Sequence, residues 1–199
     1  MIRYEVIGTA ETKRRHPFNA VFDTGEELFL GPCDSRSVGG VGVLVNMSIF
    51  MDIDSFDQLT ARVGRLQLKR CGSIPALTIF VVYAPSSNYD EEEVKAFYVD
   101  LEKFYREDHT FFKVIIGDFN AKIGPRRSSE ERHIGAHGLE WNEKGERLSE
   151  EIIATKTIHG NSQFQETRGQ RCDDNYRTVA AFYGVGSLCI ALIPYRYTM

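Results

Sequence analysis

Two polar residues stand just past an apolar run. Lys113-Val-Ile-Ile-Gly-Asp-Phe-Asn120 ends its β-branched stretch at Gly117 and then presents Asp118 and Asn120, two positions apart. Asp118 offers a hard anionic oxygen, and Asn120 an uncharged donor and acceptor. Ligands of α/β sheets gather at the ends of such strands. If strand geometry persists to Asn120, the two side chains point the same way, because the strand period is two. The same residues are also ordinary turn formers, since Asp and Asn bond neighbouring backbone and tolerate left-handed conformations. Glu11 lies beside the basic cluster Lys13-Arg14-Arg15-His16. It reads as a surface ion pair, and the cluster reads as a solvated face or as phosphate contacts.

Several elements must position these residues. Ile2–Gly8 and Glu27–Leu30 are strand patterns, and Val38–Val45 is a glycine-punctuated strand. No helix pattern follows Gly39-Gly40-x-Gly42, so it is not a dinucleotide fingerprint. Ile53–Thr60 is polar and turn-like. Arg62–Arg70 alternates, and Leu77–Tyr83 is a buried strand stopped by Ala84-Pro85, which predicts an antiparallel pair. Asp90–Glu107 is the clearest helix: Val94, Phe97, Tyr98, Leu101, Phe104 and Tyr105 form one apolar face, with Asp90 and Glu93 as a capping box. Lys144–Thr155 is a second helix, with Leu148, Ile152 and Ile153 inward, and Thr157–Phe164 a further strand. From about Glu166 the chain becomes irregular, then apolar. The order of elements predicts a mixed α/β or α+β layered domain.

Composition sets outer limits. The 199 residues are 42% hydrophobic and 26% charged, as in a globular domain with a sizeable core. A net charge of −4 gives no global argument for nucleic-acid binding. Cys33, Cys71, Cys172 and Cys189 are far apart in sequence and read as reduced thiols in an intracellular protein, nuclear or cytoplasmic. The charged first 15 residues make no secretory signal, and no apolar run reaches the ~20 residues of a membrane span. Opening directly into a strand pattern suggests a truncated start.

Three segments in order carry a resemblance. Ile7-Gly-Thr-Ala-Glu-Thr-Lys13, Val82-Tyr-Ala-Pro85 and Ile116-Gly-Asp-Phe-Asn120 resemble successive signatures of the endonuclease/exonuclease/phosphatase superfamily. With Asp23–Leu30, Gly39–Val45 and Phe112–Gly124, the likeness extends to the endonucleases of RTE-type non-LTR retrotransposons, a lineage that includes craniofacial-development-protein-2-like chains. The resemblance covers residues 1–165 and leaves 166–199 as a divergent tail. It implies a four-layer α/β sandwich of two mostly antiparallel sheets flanked by helices, incomplete at both ends. It further implies Glu11 as ligand of a divalent ion, magnesium or manganese. Asp118 would activate water, and Asn120 and Tyr83 would contact the phosphate. Lys13 and Arg14 would touch nucleic acid. The implied reaction is hydrolysis of a DNA phosphodiester.

The chain departs from the family at both ends. The opening strand with its metal-proximal Asn is missing, and so is the closing Ser-Asp-His. Asp173-Asp-Asn-Tyr176 is the nearest acidic cluster, in the wrong context. Losing one member of a cooperating catalytic set costs several orders of magnitude in rate. The sequence therefore predicts a weak or inactive endonuclease. The alternative is a non-catalytic fragment that binds nucleic acid or protein.

Overall fold

A computed structural model describes residues 4–69, 76–86, 89–110, 112–138, 140–155, 157–163 and 178–183. Two sheets stack face to face. The first has the order β2(Phe18–Val21), β3(Glu27–Leu30), β4(Val41–Val45), β1(Tyr4–Ala10), β9(Thr178–Tyr183); the second is β5(Ile53–Thr60), β6(Val63–Leu68), β7(Leu77–Tyr83), β8(Phe112–Asp118). Only the β1–β9 and β7–β8 pairs are parallel; the rest are antiparallel, β6–β7 among them. This is the expected α/β sandwich of two mostly antiparallel sheets.

Strand alternation divides the core in two. Leu66, Ile79, Val81, Val114 and Ile116 face Val6, Val41, Val43 and Val45 across the gap between the sheets. Phe80, Val82 and Ile115, on the opposite face, pack under α1(Glu91–Glu107) and α2(Glu143–Thr155). Among the described residues, helices cover this outer face only.

The aromatic stripe of α1 is core, as its spacing predicts: Phe97, Tyr98, Leu101 and Tyr105 are buried. The Asp90 carboxylate accepts from the Glu93 amide at 2.7 Å and caps the first turn. Asn142 does the same for α2, accepting from Gly145 N at 2.8 Å and also from Lys122 N at 2.9 Å. One side chain thus ties the start of α2 to the chain leaving β8. Leu148 and Ile152 face inward as expected, whereas Ile153 is 41% exposed.

Three local expectations change. Ile53–Thr60 is a strand, not a turn. Ile53 and Phe56 pack against the inter-sheet core, while Ser55 and Asp57 bond each other, Gln67 and Arg65 at the strand's flank. A sheet edge tolerates that polarity because its other side meets water. Thr157–Phe164 is not a strand over its described part: Gly160–Gln163 is a 3-10 turn. Strand β9 arises within the stretch read as a tail and pairs with β1 from Tyr4↔Thr178 to Thr9↔Tyr183. The Asp173–Tyr176 cluster and Cys71, Cys172 and Cys189 lie outside the described residues; Cys33 is a free thiol. No helix among the described residues is long and apolar enough to cross a membrane.

Candidate active site at the strand ends

Register alone brings two of the candidate residues together. Strands β7 and β8 run parallel, with Val82 beside Gly117 and Tyr83 beside Asp118. By alternation Tyr83 shares the inward face of Ile79 and Val81, and Asp118 that of Val114 and Ile116. Both therefore point toward the first sheet at the C-terminal end of the pair. Glu11 follows the last residue of β1 in that sheet. The Tyr83 hydroxyl donates to the Glu11 carboxylate, bridging the two sheets. Glu11 is thus held by a phenol; no ion pair joins it to the basic cluster among the described residues.

The backbone must be unusual to make this convergence. Gly117 has φ +148°, and a Cβ there would overlap the Val82 carbonyl oxygen and lie 2.8 Å from the Val82 carbonyl carbon and amide nitrogen. Its absence lets the strands close up one residue before the Tyr83–Asp118 pair. Glu11 and Lys13 both have φ 52°, and Asn120 has φ 49°, positions that L-residues occupy at a cost. Tertiary contacts hold the Glu11 segment there. Thr12 N and Lys13 N donate to Gly40 O and Gly39 O at 3.1 and 3.4 Å, and Gly40 N donates to Ala61 O at 2.8 Å. A Cβ on Gly39 would sit 2.6 Å from Ala61 O, and one on Gly40 would strike Thr12 Oγ1. The glycine pair, read from sequence as strand packing, instead joins the Glu11 segment to the β5–β6 turn.

Asn120 corrects a geometric expectation. Strand structure stops at Asp118, so the period of two does not carry Asn120 onto the same face. The turn and the site coincide instead. Asp118 Oδ1 accepts from Asn120 N at 2.8 Å, and Asn120 Nδ2 donates to Ala84 O at 2.8 Å on the loop after β7. Asn120 thereby fixes the loop carrying Pro85 and Ser86 beside Asp118.

Electrostatics set Asp118 apart. Burial raises its pKa above the ordinary carboxylate value; the Asn120 amide opposes this, the Glu11 charge adds to it, and Lys144 opposes it. Lys144 Nζ donates to Pro85 O at 2.8 Å. Burial lowers the Lys144 pKa, and Asp118 partly restores it. The Tyr83 phenol is held well above its usual value by burial first, then by its bond to Glu11. A cleft of about 400 Å³ opens on Glu11 and Tyr83, lined also by Lys13, Val38, Ser86 and Tyr89, while Asp118 and Asn120 do not line it. Lys13 reaches this cleft. Arg14 does not, and its guanidinium lies 4.3 Å over the ring of Phe18.

The donor set suits a hard divalent cation. Glu11 and Asp118 are oxygen donors, and the Glu11 charge adds to the cost of ionising Asp118, a cost such an ion removes. Magnesium is held by one or two carboxylates with water and substrate phosphate. Among the described residues no group of three His, Cys, Asp or Glu converges. His159, unplaced by the sequence, is 2% exposed with both ring nitrogens unbonded. Arg62, Tyr89 and Lys144 were also missed; each sits beside the site through long-range packing and carries no local sequence signal.

The stacked, mostly antiparallel sheets with helices on an outer face make the chain, by fold, an α/β sandwich. Its fold is similar to three solved structures. These are the AP endonuclease LMAP from Leishmania major (TM-score 0.52, 14% identity, 78% of this chain and 58% of that one), the endonuclease domain of TRAS1, a telomere-specific non-LTR retrotransposon (0.53, 10%, 96% and 84%), and the 3′ phosphatase NExo from Neisseria bound to product DNA hairpin (0.51, 12%, 95% and 76%). In sequence the chain is 33% identical over 149 residues to craniofacial development protein 2 of Bos taurus, a match that takes in 71% of this chain and 24% of that protein. The chain thus spans about a quarter of the length of the curated relative it matches. No family model matches it.

Proposed function

We propose that this chain is a divalent-metal-dependent DNA phosphodiesterase of the retrotransposon endonuclease type. The supporting observation is the convergence of Glu11, Tyr83 and Asp118 at three strand ends. Residues 1–165 form the functional domain in this reading, and the described part of 166–199, Thr178–Tyr183, adds the β9 edge. It acts where DNA is held, inside the cell.

The chemistry follows from the residues. Asp118, its pKa raised chiefly by burial, is a stronger base than a solvated carboxylate. It takes a proton from the attacking water. The water oxygen bonds to phosphorus, the bond from phosphorus to the 3′ oxygen breaks, and that oxygen leaves as a hydroxyl after gaining a proton from solvent. Tyr83, whose hydroxyl reaches Glu11, would also offer that hydroxyl to the phosphate. Asn120 keeps one amide hydrogen to donate to a phosphate oxygen. Lys13 sits at the mouth of the cleft for a flanking phosphate, with Arg14 as a peripheral contact. Glu11 would hold magnesium or manganese, which would neutralise charge developing on the phosphoryl oxygens. Without a Ser-Asp-His histidine in the chain, no imidazole protonates the leaving oxygen, and the rate is low.

The test is relaxation of supercoiled plasmid with magnesium. Slow nicking is expected, abolished by EDTA, by Glu11→Ala and by Asp118→Asn. Nicking that survives Glu11→Ala overturns the proposal. So does wild-type protein that fails to nick yet binds DNA equally in EDTA, which favours the non-catalytic alternative; the unpaired cations Lys13, Arg14 and Arg15 support that second reading.

A further inference from the structure

Arg62 occupies an unusual position for a cation. It ends the two-residue turn between β5 and β6, where its main chain and side chain both grip Tyr83. Tyr83 N donates to Arg62 O at 2.9 Å, and Arg62 Nη1 donates to Tyr83 O at 3.4 Å. The guanidinium carbon lies 5.5 Å from the Tyr83 ring centroid and 4.6 Å from that of Tyr89. Arg62 enters none of the ion pairs among the described residues, and its Nη2 is buried without a partner. Arg36 borders the other side of this arrangement. It lies 5.7 Å from the Tyr89 ring centroid and is neutralised by Glu93 at 2.8 Å and Asp34 at 3.4 Å.

A structural role for Arg62 would be served by a carboxylate partner of the kind Arg36 has. Its charge is instead left uncompensated, against the ring whose hydroxyl meets Glu11. A cation over a tyrosine face is attracted by the ring quadrupole. A flat guanidinium can stack on two rings and donate in its own plane at once, which an ammonium cannot do.

We infer that Arg62, clamped between the Tyr83 and Tyr89 rings, is a positioning residue that fixes the Tyr83 hydroxyl toward Glu11 and the phosphate. The role in turnover rests on the nuclease reading above; the effect on Tyr83 does not. Arg62 touches neither cation nor substrate. It acts through Tyr83.

The test reads Tyr83 directly. Protein carrying ¹³C-labelled tyrosine gives a ring resonance for Tyr83, assigned by its loss in Tyr83→Phe. Arg62→Gln is expected to shift that resonance and speed its ring flips while the far-ultraviolet spectrum is unchanged. Arg62→Lys keeps charge without stacking and is expected to give an intermediate shift. An unchanged Tyr83 resonance in either folded variant overturns the inference. Should Arg62→Gln fail to fold, Arg62→Lys is read alone. The measurement needs neither metal nor DNA, so it separates this inference from failure of the nuclease reading. In nicking assays Arg62→Gln is expected to lower kcat about tenfold with KM within about threefold, as for an interaction realised in the transition state. Added to Tyr83→Phe, it should cost nothing further, and equal losses in both backgrounds overturn the mechanism.

Discussion

Gly117→Ala tests whether the close approach of β7 and β8 creates the site. The added methyl meets main chain, not a flexible side chain: the Val82 carbonyl oxygen is overlapped, with the carbonyl carbon and amide nitrogen each at 2.8 Å. Relief requires the strands to part or Gly117 to leave φ +148°. Overpacking a tight site costs about 1–3 kcal/mol, and holding an L-residue in a sparsely populated backbone region costs about 1–3 kcal/mol more. Together these give a loss of roughly 2–6 kcal/mol, a large share of the ~5–15 kcal/mol typical of a domain. With a urea slope of ~2–3 kcal/mol per molar, the midpoint should fall by about 0.7–3 M. Gly64→Ala is the internal comparison. Its Cβ would meet the Phe56 ring and a Val41 methyl at 3.1 Å, contacts that side chains relieve more readily. Urea unfolding followed by Trp141 fluorescence and by circular dichroism would measure both. A midpoint for Gly117→Ala within about 0.3 M of wild type, or no worse than for Gly64→Ala, would refute the reasoning. Because Gly117 precedes the Tyr83–Asp118 pair by one register step, nicking should also fall even under conditions where the variant is folded.

Two further expectations concern pH. Burial lowers the His159 pKa from 6.5 to about 4, so the native state excludes a proton that the unfolded chain binds. Stability from this residue is present above pH 6.5 and is lost as pH falls toward 4, by roughly 3 kcal/mol in all; acid titration of urea midpoints should show this slope, and His159→Phe should flatten it. Asp118 has the opposite sign. Its native pKa is raised above 3.8, so its contribution is fully present below 3.8 and is lost as pH rises through the native value. Asp118→Asn should therefore be more stable than wild type at pH 7, with the gain fading in acid; equal stability at pH 7 would mean that burial does not tax this carboxylate.

Local physics accounts for what was legible in the chain. Leu77–Tyr83 and Phe112–Asp118 are read as strands because β-branched residues without alternation fit a sheet buried on both faces. The α1 stripe is read as core because its 3.6-residue spacing makes one apolar face, and Asp90 supplies the cap. Asp118 and Asn120 carry their turn chemistry in their own side chains. Glu11 and Tyr83 stand out through the resemblance of their motifs and not through local physics.

Tertiary structure decided how those residues act. Ile53–Thr60 becomes a strand through pairing with β6, which no window of eight polar-leaning residues announces. Asn120 leaves the strand pattern because β8 ends at Asp118, and its side-chain amide donates to the Ala84 carbonyl. Glu11 meets a phenol, not the neighbouring cations, because β1 and β7 end at the same height in stacked sheets. Arg62 and Lys144 reach the site from 21 and 26 residues away along the chain from Tyr83 and Asp118. The sequence by itself determined which side chains could do chemistry, through residue type and short-range order. Only parallel register and sheet stacking, both long-range, decided which of them meet.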